Sequence, residues 1–199
     1  MRIQVLPVAA LAILLVACGG GAKPVGGAAA SGAGDAGDGT VAGGAGSPVN
    51  KIAIAAIADL QKYWTDEYPK LYGSEYKPVD GGFYAVIPAS GDLPPCASDA
   101  ADISGNAFYC GSKDVVAWDA ENLLPELQAK FGDFVIPIVL AHEWGHAIQA
   151  RSNFTARTVT KELQADCFAG GWAKHAQASG VYKGNGGELD TALAGILEL

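Results

Sequence analysis

The stretch His142-Glu143-Trp144-Gly145-His146 constrains this chain's fold more than any other. Residues four apart on an α-helix are separated by about 40° around its axis, so the two imidazoles share one face only if the segment is helical. Two neutral imidazoles suit Zn²⁺, and a site built on them needs a third protein ligand and an open position. Glu143, one residue on, can reach a water activated by the metal but not the metal itself. The fold must therefore turn this helical face toward a cleft and bring a second element across from it. Ile136, Ile138, Val139 and Leu140 supply the apolar side of such a helix, expected over roughly 134–151 with Pro137 in its first turn. With 3 histidines in 199 residues, chance produces this pattern on the order of a few times in a thousand.

A second pair with the same spacing lies at Glu162 and Asp166, on a helix expected over about 160–178. The chain between His146 and Glu162 is long enough for a turn and an antiparallel return. Glu162 could then complete the coordination. Asp166 could accept a hydrogen bond from the distal nitrogen of a ligand histidine, most naturally His142, holding its tautomer. Taken by itself, the pair is better read as a solvated helix edge beside Lys161; the neighbouring His142 and His146 favour the ligand role.

The remaining pattern is mixed. Ser47-Pro48 marks a helix start, and Ile57, Leu60, Trp64, Tyr68 and Leu71 recur at spacings of three and four, so a helix is expected over about 49–67. Phe83–Ile87 reads as a strand. Ala107–Cys110 and Val115–Trp118 read as a hairpin around Gly111-Ser112-Lys113-Asp114. Asp119 could cap a further helix over about 120–131, closed by Gly132. The order predicts an α+β fold. In it a small antiparallel or mixed sheet accompanies the histidine-bearing helix, which packs against the glutamate-bearing one. Gly145, Gly170 and Gly171 weaken helix propensity, and close approach of the two site helices is the expected compensation. The aromatic set Tyr63, Trp64, Tyr68, Tyr72 and Tyr76 is assigned to packing rather than to a carbohydrate platform.

The N-terminus reads as an address. Met1-Arg2 is followed by an apolar run of about fourteen residues, too short to span a bilayer but suited to a signal core. It ends in Leu15-Val16-Ala17-Cys18, which resembles a bacterial lipobox: residues 1–17 would be removed and Cys18 acylated. Residues 18–47 are nearly all Gly, Ala, Ser and Asp and read as a flexible tether. This segment holds 12 of the 27 glycines and so explains most of the excess over an ordinary composition. The folded domain is then expected over 48–199. Lys plus Arg is 13 and Asp plus Glu is 21, giving 13 − 21 = −8, which excludes an electrostatic nucleic-acid binder. The N-terminal features lead to the expectation of a location in the bacterial cell envelope, outside the cytoplasm and lipid-anchored; a monomer is also expected.

Leu140-Ala-His-Glu-Trp-Gly-His-Ala-Ile-Gln149 and Glu162-Leu-Gln-Ala-Asp-Cys-Phe-Ala-Gly170 resemble the bacterial neutral zinc metallopeptidase family, of the lipoprotein peptidase type. That family orders a Pro-Cys, a Phe-Tyr-Cys, the HExxH and an ELQADC. Here these stand at Pro95-Cys96, Phe108-Tyr109-Cys110, 142–146 and 162–167, so the resemblance covers roughly 95–175. The resemblance implies a zincin fold with one Zn²⁺ per chain held by His142, His146 and Glu162. It also implies that Glu143 is the general base in hydrolysis of a peptide or protein substrate. The family often continues beyond the point where this chain ends, so the chain is read as a shorter or truncated member. Trp144 replaces a smaller residue and is expected to face the core.

Other assignments are subsidiary. Cys96 and Cys110, fourteen apart in an exported chain, are expected to form a disulfide. Cys167 is expected to be a small buried thiol. An oxyanion donor could be Tyr109, Tyr84 or, on the opposite helical face, His175, and residues 106–110 are a candidate edge strand for an extended substrate. One alternative is a catalytically inactive zincin scaffold that binds a partner; an intact Glu143 argues against it. Another is a deformylase, whose third ligand is a cysteine in a Gly-Cys-Leu context upstream of the motif; no such context occurs here.

Overall fold

The computed structural model describes residues 41–42, 47–181 and 186–196. The expected signal peptide 1–17, Cys18 and most of the expected tether lie outside the described residues.

The order of elements is β1 (Val41–Ala42), α1 (Pro48–Tyr72), β2 (Phe83–Val86), β3 (Ala107–Cys110), β4 (Val115–Asp119), α2 (Leu123–Phe131), α3 (Val135–Arg151), α4 (Thr158–Ser179) and α5 (Gly186–Ile196). This is an α+β fold. Three strands carry the sheet, with the two-residue β1 added at one edge, in the order β1-β2-β4-β3. The sheet is mixed: β2 runs parallel to β4, while β3 and β4 form the expected antiparallel hairpin, with Ala107 opposite Trp118. β1, which falls within the expected tether, pairs in parallel with Phe83 and Tyr84.

Local chemistry accounts for the boundaries. Ser47 accepts a hydrogen bond from the Asn50 amide and so caps α1. The helix continues beyond 67 to Tyr72, and Gly73 ends it in the left-handed region at φ 71°. Asp119 does not cap α2 directly. Its carboxylate accepts the amides of Glu121 and Asn122 instead, forming a turn that delays the helix to Leu123. No element was expected after 180, so α5 is an addition.

α3 is the centre of the molecule. α1, α2, α4, α5 and the β3–β4 hairpin all pack on it, and it is apolar all round at its start. Ile136, Ile138, Val139, Leu140 and Ile148 are fully buried, each worth about 1.5–3 kcal/mol of transfer free energy. Trp144 faces the core as expected. It stacks on Phe83 at 5.5 Å and donates from Nε1 to the Tyr76 hydroxyl at 2.8 Å. Tyr76 in turn donates to Gln61, whose amide reaches the Val79 carbonyl. The aromatic set of α1 and of the segment after it is packing: Trp64, Tyr68 and Tyr76 are buried, and Trp64 meets Phe168 of α4 edge-on at 5.2 Å.

Candidate metal centre

α3 and α4 run side by side, joined by a turn in which Asn153 takes the left-handed conformation at φ 54°. This return sets Glu162 and Asp166 over the face carrying His142 and His146. The Nε2 atoms of His142 and His146 are 3.2 Å apart. Glu162 Oε2 lies 3.2 Å from the first and 3.1 Å from the second. Three ligand atoms thus form a near-equilateral triangle.

The protons can be placed from the partners. His142 Nδ1 lies 2.8 Å from Asp166 Oδ1, and a carboxylate accepts, so Nδ1 carries the hydrogen. His146 Nδ1 lies 3.1 Å from Gln149 Oε1. Gln149 Nε2 donates to the Lys161 carbonyl at 2.6 Å, which orients the amide with its oxygen toward the imidazole. His146 Nδ1 is therefore also the donor. Both Nε2 atoms then present lone pairs, and Glu162 Oε2 presents another. With both rings neutral, three lone pairs converge on one point, a set that a cation would satisfy. Tetrahedral Zn²⁺ with bonds of 2.0–2.1 Å separates its ligands by about 3.4 Å, close to the triangle found. The residues fit the ion.

The triangle opens into a cleft of about 640 Å³ whose walls include β3, Phe154 and Ile196. Glu143 lies in the same cleft at 5% exposure. Burial pushes its carboxyl upward. The imidazoles of His142 and His146 and the amide of Tyr109, which donates to it, act the other way, while Glu162 adds to the rise. β3 is the outermost strand on its side of the sheet, so 106–110 do border the cleft as an edge.

Other expected residues are placed differently. The Tyr109 hydroxyl is committed elsewhere: it donates to Asp114 at 2.7 Å and accepts from Arg151 at 3.3 Å. Tyr84 packs with Val86, Ile103 and Phe108 away from the cleft. His175 is exposed and lies against Tyr63 at 5.0 Å. None of these three side chains is aimed at the triangle. Cys96 and Cys110 are joined by a disulfide that ties the preceding loop to the end of β3. Cys167 departs from the expectation of a small buried thiol: it lies on the exposed side of α4, one helical step of about 100° past Asp166.

Two contributors to the site were not anticipated. Gln149 was readable in principle, since it stands three residues after His146 and so on the same helical face. Ile196 had no local signal, because only the packing of α5 brings it to the cleft.

The chain matches the family described as "Putative neutral zinc metallopeptidase" over residues 9–196. It is also similar to "Uncharacterized protein YpfJ" of Escherichia coli K12 and of E. coli O6:H1, at 30% identity over 162 residues in each case. Each alignment covers 72% of this chain and 53% of the relative, so the chain spans about half the length of those relatives. No solved structure matches it.

Proposed function

Since the chain belongs to the neutral zinc metallopeptidase family, we propose that it is a zinc-dependent endopeptidase of zincin-like fold, with His142, His146 and Glu162 as ligands and Glu143 as general base. The observation that carries the reading is the convergence of three lone pairs within 3.2 Å, each imidazole donating its other nitrogen's hydrogen outward. A zinc ion bound there would supply Lewis acidity, polarising a scissile carbonyl and acidifying water.

The protein's own groups would do the rest. Glu143 would take a proton from the attacking water and deliver it to the leaving amine. Its burial suits this role, since a carboxyl displaced upward from its ordinary range is a better base near neutral pH. Asp166 holds the His142 ring and raises its basicity. The edge of β3 offers backbone groups to an extended peptide, which fixes the substrate's direction across the cleft. The Tyr109 amide, already engaged with Glu143, holds the base at that same edge.

The test joins metal content to turnover. The purified protein should contain one zinc per chain and cleave members of a peptide library. Glu143→Gln should retain the zinc and lose cleavage by several orders of magnitude. Zinc retained with no cleavage by the parent on any library would favour the binding scaffold instead.

We also propose that the protein is lipid-anchored through Cys18 in the cell envelope and acts as a monomer. The support for the anchor is the sequence from Met1 to Cys18. Among the described residues no helix is long and apolar enough to cross a membrane. The mass of the mature N-terminal peptide should show a diacylglyceryl adduct on Cys18; an unmodified Cys18, or one held in a disulfide, would overturn the anchor.

A further inference from the structure

The two ligand histidines have different outer partners. His142 leans on a carboxylate, and His146 leans on Gln149, an amide only 4% exposed with both polar ends engaged. We infer that Gln149 is a positioning residue: it fixes His146 as the Nδ1–H tautomer and ties that ring to the backbone immediately before Glu162.

The argument is one of donors and acceptors. If the Gln149 amide were turned over, its oxygen would face the Lys161 carbonyl oxygen at 2.6 Å, which is repulsive, and its NH₂ would face His146 Nδ1. That arrangement would demand the opposite tautomer, with a hydrogen on Nε2 pointing into the triangle. The Lys161 carbonyl therefore sets the amide, the amide sets the imidazole, and the imidazole presents its lone pair. Lys161 is the residue before Glu162, so one side chain relates the second and third ligands across the two helices. Asp166 does the corresponding work for His142 from the α4 side, which leaves each imidazole of α3 oriented by a group that also fixes where α4 lies. Gln149 performs its part without adding a further negative charge beside Glu143, Glu162 and Asp166.

The inference rests on the metal-site reading for its functional meaning, but its test separates the two. In the metal-free protein above neutral pH, nitrogen-15 NMR of the histidine side chains should show His146 with its hydrogen on Nδ1. Gln149→Leu, similar in bulk and unable to accept, should shift that hydrogen substantially to Nε2. An unchanged tautomer in a folded Gln149→Leu protein overturns the inference whether or not zinc binds. Zinc affinity, read by chelator competition, supplies the second arm. Gln149→Leu should weaken it about 10–100-fold, as is typical for loss of an outer partner. Gln149→Glu keeps an acceptor for His146 but turns the tie to the Lys161 carbonyl into a repulsive contact between two oxygens; because the acceptor holds the tautomer, it should still bind zinc more tightly than Gln149→Leu. Equal losses in both variants would make Gln149 a helix tie and nothing more, and would also overturn the inference. A parent that takes up no zinc would defeat the metal reading, with the NMR arm still deciding this one.

Discussion

A Cβ built on Gly145 would stand 2.6 Å from the Cα of Ala165 and 2.9 Å from its Cβ. Gly145 sits between the two ligand histidines, and Ala165 between Glu162 and Asp166. At these two positions α3 and α4 approach closely, and this approach lets side chains from both helices meet at one triangle. Glycine within a helix is unfavourable by about 1 kcal/mol relative to alanine. Here the position has no room for anything larger.

Gly145→Ala should therefore push the helices apart. Overpacking of this kind costs about 1–3 kcal/mol, and zinc affinity should fall with it because Glu162 moves away from the imidazoles. Gly170 provides the contrast: a Cβ there meets nothing within 4 Å. Gly170→Ala should leave zinc binding intact and raise stability by up to about 1 kcal/mol through helix propensity. Thermal unfolding of the two variants with chelator titrations checks both; a neutral Gly145→Ala would refute the packing argument.

Replacing a ligand should cost more than replacing its support. Asp166→Asn retains a hydrogen-bond partner for His142 but removes its charge, so zinc affinity should fall about 10–100-fold. Glu162→Ala removes one of three ligands and should exceed that range. Competition with a chelator of known affinity orders them, and a reversed order would mean that Glu162 is not a ligand.

Removing the metal should lower stability. A ligand bound only by the native state stabilises it by about 2.7 kcal/mol at a hundred times its Kd. For a folded part of roughly 150 residues this is about 5–10 °C in Tm. Scanning calorimetry with and without chelator should show this difference, and Glu162→Ala should show little of it.

Asp114 predicts an acid dependence. Burial works against its charge, but the Tyr109 hydroxyl, the Asp80 amide and the Arg151 guanidinium together hold its carboxyl below the ordinary range. A folded-state value below the unfolded one gives stability that is fully present above the unfolded pKa, near 3.9, and is lost as pH falls through the folded value. Arg151 also donates to the carbonyls of Lys77 and Pro78, so this cluster clamps the hairpin onto the end of α3. Asp114→Asn should cost about 2–3 kcal/mol at pH 6, and the gap from the parent should narrow below about pH 4. Urea unfolding across that range measures it; a gap that widens on acidification would contradict the assignment.

The elements that could be read in advance are those whose signal is local. The i,i+4 spacing of His142 with His146 and of Glu162 with Asp166 implied two helical faces, and the hairpin around residues 111–114 carried its own turn residues. Helix ends were displaced by one to five residues: α1 ran on to the cap at Gly73, and α2 began late because Asp119 caps a turn before it. The sequence by itself determined which residues can ligate a metal, on which faces of which helices they stand, and that Cys96 and Cys110 could pair. The tertiary structure decided that the Tyr109 hydroxyl turns to Asp114 and Arg151, that Cys167 lies outward, that α5 supplies Ile196 to the cleft, and that Gln149 spans from His146 to the Lys161 carbonyl. The physical reason is that periodicity encodes the direction of a side chain within its own element. What that side chain meets depends on how closely the elements pack, and between α3 and α4 that distance is set by the contact of Gly145 with Ala165.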